Sequence, residues 1–333
     1  MSKFFVTGSA GFIASRVVAL LLKAGHTVVG LDNRNDAYDV ELKDWRTAQL
    51  TQYENYQFLE ADVADWEAMQ AVFQTAEKSG QMFDGVFHLA ARAGVRYSVE
   101  NPWVYMQTNC SGTLNILELV RRSGIDKLVF ASSSSVYGNV DETEELAFRE
   151  DWNTDHPCSP YAASKKATEA FAYSYHHLYH TNIAALRFFT VYGPAGRPDM
   201  SVLRFIYAIA EGKPLQLFGD GTQSRDFTYV DDIADGVIRS LDANGFHVFN
   251  FGGDHPHTIN SLIEMIAQRL GREPIIRTFP PHAADVKKTW ADISQARTLL
   301  GWSPKTSLEE GLQKTIDWYL ENRDWVRELK SLN

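Results

Sequence analysis

The sequence contains little cysteine and no long apolar run, and each absence excludes a class of protein. Cys110 and Cys158 are its two cysteines, and they do not form a CxxC spacing. A disulfide framework is therefore not expected, and a reducing compartment suits the chain. The apolar run at residues 17–22 is far too short to span a bilayer, and no charged leader precedes the first strand-like segment. We expect a cytoplasmic protein without a signal peptide or a membrane anchor.

Basic residues are also scarce, since 32 Lys and Arg stand against 42 Asp and Glu, for a net charge of −10. This balance argues against a protein that binds nucleic acid through a generally basic surface. It leaves an anionic small-molecule substrate open, because a few arginines can hold a phosphate locally. With 333 residues, 44% of them hydrophobic, the chain can form one large α/β unit or two lobes.

Short β-rich runs alternate with helical patterns in the first third of the chain. The predicted strands are residues 4–7, 27–32, 57–60, 86–89 and 128–132, and the predicted helices are residues 14–23, 65–77 and 103–122. Alternation of this kind is typical of an α/β fold with a doubly wound parallel sheet. A helix at 161–179 and a strand at 183–189 follow, and beyond Pro194 the predicted elements are shorter and more mixed.

A glycine-rich turn joins the first predicted strand to the first predicted helix. Gly8 and Gly11 permit a tight turn and the close approach of a pyrophosphate to the helix N-terminus. Asp32 ends the second strand, where a carboxylate binds a ribose diol and repels a 2′-phosphate, so NAD is favoured although Arg34 is a nearby cation. The other residues expected at the cofactor are Phe12, Ile13, Asp62, Val63, Leu89, Ala90 and Ala91.

A tyrosine and a lysine four residues apart supply the candidate catalytic groups. Tyr161 and Lys165 share one face of a helix, so the ammonium is expected near the phenol. A neighbouring cation and an oxidised nicotinamide would both lower the pKa of Tyr161, which could then act as a general base. A serine run that includes Ser133 ends the preceding strand, at the edge where parallel sheets bind ligands.

The glycine turn, Ser133, Tyr161 and Lys165 together resemble the extended short-chain dehydrogenase/reductase family, which contains NAD-dependent epimerases and dehydratases. Further segments of the same pattern are Asn109 with Gly112 and Thr113, and residues 219–221, 225–227 and 229–232. The resemblance implies a Rossmann domain that binds NAD, a smaller C-terminal domain that binds a nucleotide sugar, and a homodimer. Tyr161 and Lys165 would also contact the cofactor.

The resemblance also predicts where the domains divide. Residues 1–190 are predicted to form the NAD-binding Rossmann domain, with a returning segment near 230–260. Residues 191–229 and 261–333 are predicted to form the substrate-binding domain.

Two positions before Val136 discriminate among the reactions of this family. Dehydratases of the family have Asp-Glu there and the uronate decarboxylases have a Glu, whereas this chain has Ser134 and Ser135. These hydroxyls favour plain epimerisation at C4. Residues 32–39, 93–102, and 187–194 with 196–200 are similar to loops of UDP-glucuronate 4-epimerases, which implies a UDP-uronate substrate. A UDP-glucose or UDP-N-acetylglucosamine 4-epimerase, a UDP-glucuronate decarboxylase and a non-catalytic NAD-binding regulatory protein remain alternatives.

The expected substrate contacts follow from the same resemblance. Ser133 would hold the 4-oxygen, and Ser134, Ser135 and Thr190 would hold the carboxylate, with a backbone hydrogen bond as the equal alternative for the Thr190 hydroxyl. The residues expected on the remainder of the substrate are Arg197 or Arg225 at the pyrophosphate, Asp285 at the nucleotide ribose, and Asn109 as a substrate-side or helix-ordering residue. No metal site is expected, because His176 and His180 lack a third ligand.

Overall fold

The computed structural model describes residues 1–139, 146–281 and 286–332. Its centre is a seven-stranded parallel sheet in the order β10-β6-β5-β4-β1-β2-β3. Its strands are β1 Lys3–Thr7, β2 Thr27–Asp32, β3 Tyr56–Glu60, β4 Gly85–His88, β5 Lys127–Ser133, β6 Asn182–Phe188 and β10 Phe246–Phe251. The predicted doubly wound sheet is therefore confirmed. Because β1, β4 and β5 are buried on both faces, they are nearly continuous runs of apolar residues.

Helices cover both faces of this sheet and build the C-terminal part. They are α1 Phe12–Lys23, α2 Val40–Leu50, α3 Trp66–Lys78, α4 Val95–Glu100, α5 Trp103–Tyr105, α6 Gly112–Arg122, α7 Pro160–Tyr179, α8 Ser201–Ala210, α9 Val230–Arg239, α10 Ile259–Leu270, α11 Ser294–Leu300, α12 Leu308–Glu321 and α13 Arg323–Val326. Short 3₁₀ turns lie at Ser134–Tyr137, Ser240–Asp242 and Lys330–Leu332. Within the described ranges, no helix is long and apolar enough to cross a membrane.

Two helical segments differ from the sequence-based expectation. The pattern analysis missed α2, because the residues that this helix buries include Lys43 and Arg46 beside Leu42 and Leu50. Apolar periodicity cannot reveal a helix whose inner face carries cations. The predicted helix at 103–122 is interrupted by a π-helical segment at Met106–Ser111. Such bulges insert one residue into the helical ladder and are frequent at functional sites.

Smaller sheets occupy the C-terminal part of the chain. One joins β7 Thr190–Tyr192, β9 Ser224–Tyr229 and β11 Pro256–Thr258, and the other joins β8 Pro214–Phe218 to β12 Ile275–Phe279. A hydrophobic cluster formed mainly by α8, α10 and α12 packs with them. The chain returns to the large sheet at β10, which pairs in parallel with β6. The C-terminal region thus has its own core beside the cofactor sheet, and the predicted domain boundaries remain a prediction.

Candidate active site

The carboxyl end of β5 and the first turn of α7 bring the three candidate catalytic residues together. The hydroxyl of Ser159 caps α7 by accepting a hydrogen bond from the Ala162 amide at 3.1 Å, and Pro160 occupies the first helical turn. This start places Tyr161 beside the end of β5, where Ser133 is the last residue of the strand. The Ser133 hydroxyl accepts a hydrogen bond from the Ser135 amide at 3.2 Å, and its proximity to the Tyr161 phenol acts to lower the pKa of Tyr161.

Lys165 lies one helical turn beyond Tyr161 and is fully enclosed. Its ammonium donates a hydrogen bond of 2.6 Å to the carbonyl oxygen of Ala131 in β5. Burial lowers the pKa of Lys165 to about 8, against the opposing effects of Cys110 and Glu169. Helix α7 is therefore anchored to β5 through the lysine that the sequence assigns to catalysis.

The electrostatics of Tyr161 differ from the expectation that a neighbouring lysine lowers its pKa. In the protein alone, burial raises the pKa of Tyr161, while the Ser133 hydrogen bond and the Arg197 cation act in the opposite direction. The expected lowering by Lys165 is therefore wrong for the protein alone, because loss of solvent around the phenol dominates. A cationic nicotinamide beside the ring would favour the phenolate further.

The glycine turn leaves a space next to its backbone that any side chain at Gly8 or Gly11 would occupy. Gly8 has φ of +73°, and a Cβ there would stand 2.8 Å from the backbone of Ala90, while a Cβ on Gly11 would stand 2.8 Å from the Gly8 carbonyl oxygen. No side chain caps α1, whereas side chains cap α3, α7, α10 and α12. The first amides of α1 are therefore available for an anion, and the residues present fit a dinucleotide pyrophosphate.

Asp32 is held at the end of β2 by two interactions. Its Oδ1 accepts a hydrogen bond of 2.8 Å from the Arg34 amide, and the ammonium of Lys43 lies 3.9 Å away. The Arg34 guanidinium pairs instead with Asp44 and Glu60. Because these two carboxylates engage Arg34, the geometry favours a ribose diol at Asp32 over a 2′-phosphate. Lys43 was missed by pattern analysis along with the helix that carries it.

The other predicted cofactor residues fall into two groups. Val63, Leu89, Ala90 and Ala91 line one cleft together with Gly8, Gly11 and Asp32. Phe12 is buried and Ile13 packs against the core, and neither residue is among those that line this cleft. Asp62 accepts hydrogen bonds from Asn33 and the Ala64 amide, both at 2.8 Å, and so orders the loop beside the cleft. Asn33, Asn35, Arg92 and Thr108 also line it and were missed from sequence.

A second and larger cleft, of about 790 Å³, adjoins the first. Its volume suits a small-molecule ligand. The predicted substrate residues that line it are Ser134, Ser135, Thr190, Arg197 and Arg225. Three further arginines line it, Arg92, Arg96 and Arg204, against two carboxylates, Asp36 and Asp199. The cleft is therefore cationic on a chain that is acidic overall, which suits an anionic ligand.

The two candidate phosphate arginines occupy different parts of this cleft. Arg197 lines both clefts and forms a fork with Asp199, with Nη2–Oδ2 at 2.6 Å and Nε–Oδ1 at 3.0 Å. It also acts electrostatically on Tyr161, so it stands at the reacting end. Arg225 instead donates to the carbonyl oxygens of Ser224 and Lys287. The guanidinium of Arg96 stacks on the Phe218 ring, 4.1 Å from its centroid.

Asn109 is turned towards the protein. Its amide donates to the Arg92 carbonyl at 3.0 Å and the Ser164 hydroxyl at 2.9 Å, and its Oδ1 accepts from the Arg92 amide at 2.7 Å. This geometry favours the helix-ordering role over substrate contact. Asp285 lies outside the described residues. Within those residues, no group of three or more His, Cys, Asp and Glu side chains could hold a metal ion.

The parallel sheet, the uncapped glycine turn and the Ser–Tyr–Lys group define an NAD-dependent enzyme of the extended short-chain dehydrogenase/reductase type. The chain belongs to the family described as GDP-mannose 4,6 dehydratase, whose model matches residues 5–315.

Individual relatives have narrower descriptions. UDP-glucuronate 4-epimerase of Thermodesulfobacterium geofontis is 50% identical over 331 residues, which cover 99% of this chain and 100% of the relative. A crystal structure of UDP-glucuronic acid 4-epimerase from Bacillus cereus with UDP-glucuronic acid and NAD matches at a TM-score of 0.89 and 36% identity, covering 96% of this chain and 99% of that chain. A crystal structure of UDP-glucose 4-epimerase from Thermotoga maritima with UDP-glucose matches at a TM-score of 0.84 and 32% sequence identity, covering 96% of this chain and 99% of that chain.

Proposed function

We propose that the protein is an NAD-dependent epimerase that inverts C4 of UDP-glucuronate to give UDP-galacturonate. The observation that carries the proposal is the position of the Ser133–Tyr161 pair beside a cationic cleft lined by hydroxyls of Ser134 and Ser135. A dehydratase of this family would have acids at both positions, and a decarboxylase would have a Glu at the position before Val136. A relative that is 50% identical over 331 residues is described as UDP-glucuronate 4-epimerase, and the Bacillus cereus structure with a TM-score of 0.89 contains UDP-glucuronic acid and NAD, which supports the proposed substrate.

The residues around the smaller cleft would hold NAD. The α1 amides would hold its pyrophosphate and Asp32 would hold its adenosine ribose, while Val63 and Leu89 border the same cleft. When bound, NAD accepts a hydride from C4 of the sugar and returns it. Tyr161 and Lys165 would contact the nicotinamide ribose. The hydrogen bond from the Lys165 ammonium to the Ala131 carbonyl oxygen fixes the orientation of the lysine side chain.

Tyr161 moves the proton in both halves of the reaction. Its phenolate removes the 4-hydroxyl proton while Ser133 holds the 4-oxygen by a hydrogen bond, which leaves a 4-keto sugar. The ketone turns about its phosphate linkage and presents its other face. Tyr161 then returns the proton to the oxygen as hydride is restored at C4. No other general acid is needed, because Tyr161 returns to the 4-oxygen the same proton that it removed.

The carboxylate creates a hazard for the intermediate. A 4-keto uronate is a β-keto acid, and it loses CO₂ when the bond to the carboxylate aligns with the ketone π system. We propose that Ser134, Ser135, Thr190 and Arg197 hold the carboxylate out of this alignment, since all four line the cleft. Arg96, Arg204 and Arg225 also line this cleft and would meet the diphosphate and uridine. Asp285 stays a prediction for the nucleotide ribose.

A homodimer is proposed from the outer face of α6 and α7. These helices pack together, and their surroundings expose large apolar side chains. Trp103 is 79% exposed, and Met106, Leu114, Phe171 and Leu178 are also exposed. Apolar residues at this density mark an interaction surface, and a two-fold axis would bury it against itself. We also propose a cytoplasmic location and the domain division at residues 190, 230 and 260.

The proposed function is tested by product analysis. Purified protein, with and without added NAD, is incubated with UDP-glucuronate and followed by proton NMR. We expect UDP-galacturonate with little UDP-pentose. Conversion of UDP-glucose but not UDP-glucuronate would keep the enzyme class and overturn the substrate, and dominant UDP-pentose would overturn the role of the serines. Tyr161→Phe is the control, and it should bind the substrate yet lose at least about a hundredfold in rate.

A further inference from the structure

Helix α2 carries a buried arginine that has no part in the mechanism above. Arg46 is 3% exposed, and its guanidinium donates to neutral acceptors. Nε and Nη2 donate to the Ala195 carbonyl at 3.1 and 2.6 Å, and Nη2 also reaches the Gly196 carbonyl at 3.3 Å. Nη1 donates to the Ala10 carbonyl at 3.1 Å and the Tyr38 hydroxyl at 2.7 Å. Every nitrogen of the fork is therefore engaged.

These acceptors join two loops that are far apart in the chain. Ala10 belongs to the glycine turn at the cofactor cleft, whereas Ala195 and Gly196 directly precede Arg197. Ala195 has φ of +52°, a left-handed conformation that is unfavourable for a residue with a Cβ. Its carbonyl accepts two of the Arg46 bonds, so the guanidinium stabilises a backbone shape that Ala195 alone would not adopt.

Arg46 is one of three cationic side chains that surround the ring of Tyr38. Lys43, Arg46 and Arg197 lie 5.1, 5.5 and 6.0 Å from the centroid of Tyr38. Arg46 and Arg197 both contribute to lowering the pKa of Lys43, after burial as the largest cause. Within the described residues, Arg46 forms no ion pair with a carboxylate. A buried cation without a counter-charge is costly unless an anion approaches it.

We propose that Arg46 is a positioning residue that couples the cofactor turn to the placement of Arg197 at the sugar carboxylate. This inference rests on the proposed function. Nη1 of Arg46 fixes the turn that would receive the pyrophosphate, through the bond to Ala10. Nε and Nη2 fix the backbone of Ala195 and Gly196, immediately before Arg197. An anion at the α1 N-terminus offsets the buried positive charge and stiffens the turn. Arg197 is then held where a uronate carboxylate meets it, so cofactor binding and uronate binding favour each other.

The test compares ligands that differ in the carboxylate alone. NAD-loaded wild type, Arg46→Met and Arg46→Lys are titrated calorimetrically with UDP-glucuronate, UDP-glucose and UDP, and the NAD retained after gel filtration is measured. Arg46→Met keeps much of the side-chain volume and removes the fork. We expect its Kd for UDP-glucuronate to rise about tenfold or more, since hydrogen bonds to charged groups are at stake. The Kd for UDP and for UDP-glucose should change less than about twofold, and NAD retention should fall.

Control variants separate this role from loss of fold. Arg16→Lys alters an arginine of α1 that pairs with Asp231 at 2.6 Å, outside both loops, and should change none of these quantities. Arg46→Lys keeps the charge without the fork and should recover NAD retention more than uronate affinity. Equal weakening of all three ligands, or weakening of none, would overturn the coupling. A wild type that binds UDP-glucuronate no better than UDP-glucose would instead overturn the proposed substrate.

Discussion

Arg187 and Glu169 form a bidentate ion pair directly behind the catalytic residues. Nε–Oε1 is 2.9 Å and Nη2–Oε2 is 2.8 Å, and both side chains are buried. Ser132 donates to Glu169 at 2.6 Å, and Arg187 donates to the Tyr137 hydroxyl at 3.0 Å. The pair thus connects β5, β6, α7 and the 3₁₀ turn, which are the segments that carry Ser133, Tyr161, Lys165, Ser134 and Ser135.

Removing the charge of Glu169 should misplace these segments. Glu169→Gln leaves Arg187 buried and partly unpaired, which we expect to cost about 3 kcal/mol of stability. The rate constant kcat should fall at least about tenfold with a smaller change in KM, because the residue touches neither ligand. Steady-state kinetics and thermal unfolding measure both effects. Asp235→Asn breaks an exposed pair with Arg239 and serves as the control, for which neither value should move.

Thr190→Val should change the product rather than the rate alone. Thr190 lines the substrate cleft at the start of β7, and its hydroxyl is one of the groups proposed to hold the carboxylate. Valine keeps the shape without the hydrogen bond. A rise of the UDP-pentose share, by about tenfold over wild type, is the expected result in NMR. Ser201→Ala removes a hydroxyl elsewhere in the cleft, and an equal rise there would contradict the role of Thr190.

His88 should make the protein less stable as the pH falls. The ring hydrogen-bonds the hydroxyls of Thr7 at 2.8 Å and Thr113 at 3.0 Å, and burial lowers the pKa of His88 to about 3 from 6.5. Below pH 6.5 the unfolded chain binds a proton that the folded protein does not, so stability falls by roughly 1.5 kcal/mol between pH 6.5 and 5. Denaturant unfolding at several pH values should show a flatter profile for His88→Gln. If the free energy of unfolding fell equally steeply with pH in wild type and in His88→Gln, the assignment of this pH dependence to His88 would be refuted.

The exposed apolar side chains on and around the outer face of α6 and α7 should control formation of the homodimer. Trp103→Glu places a charge where the side chain is 79% exposed in one chain. If the face is buried in a homodimer, the variant should be monomeric by light scattering after gel filtration, with the helical content unchanged. Leu299→Glu is a matched control, since Leu299 is also exposed but lies on α11. A wild type that is already monomeric would contradict the proposed dimer.

Sequence alone determined the features that depend on short-range geometry. Gly8 has a positive φ, and a Cβ on Gly11 would stand 2.8 Å from the Gly8 carbonyl oxygen, so both glycines are required by the geometry of the turn itself. Tyr161 and Lys165 share a helix face because four residues make about one turn. Alternating apolar runs were enough to predict the parallel sheet, since its strands are buried on both sides.

Only the tertiary structure decided which charged residues are buried and what they meet. Helix α2 escaped detection because its inner face carries Lys43 and Arg46, and Arg46 donates to carbonyl oxygens of Ala10 and Ala195 in distant loops. Arg197 or Arg225 was expected at the pyrophosphate, and the fold brings the charge of Arg197 close enough to act on Tyr161, a relationship that no sequence spacing encodes. Burial also reversed the expected direction of the Tyr161 pKa. Desolvation and long-range hydrogen bonds depend on the whole packed molecule, so they have no local signature in the chain.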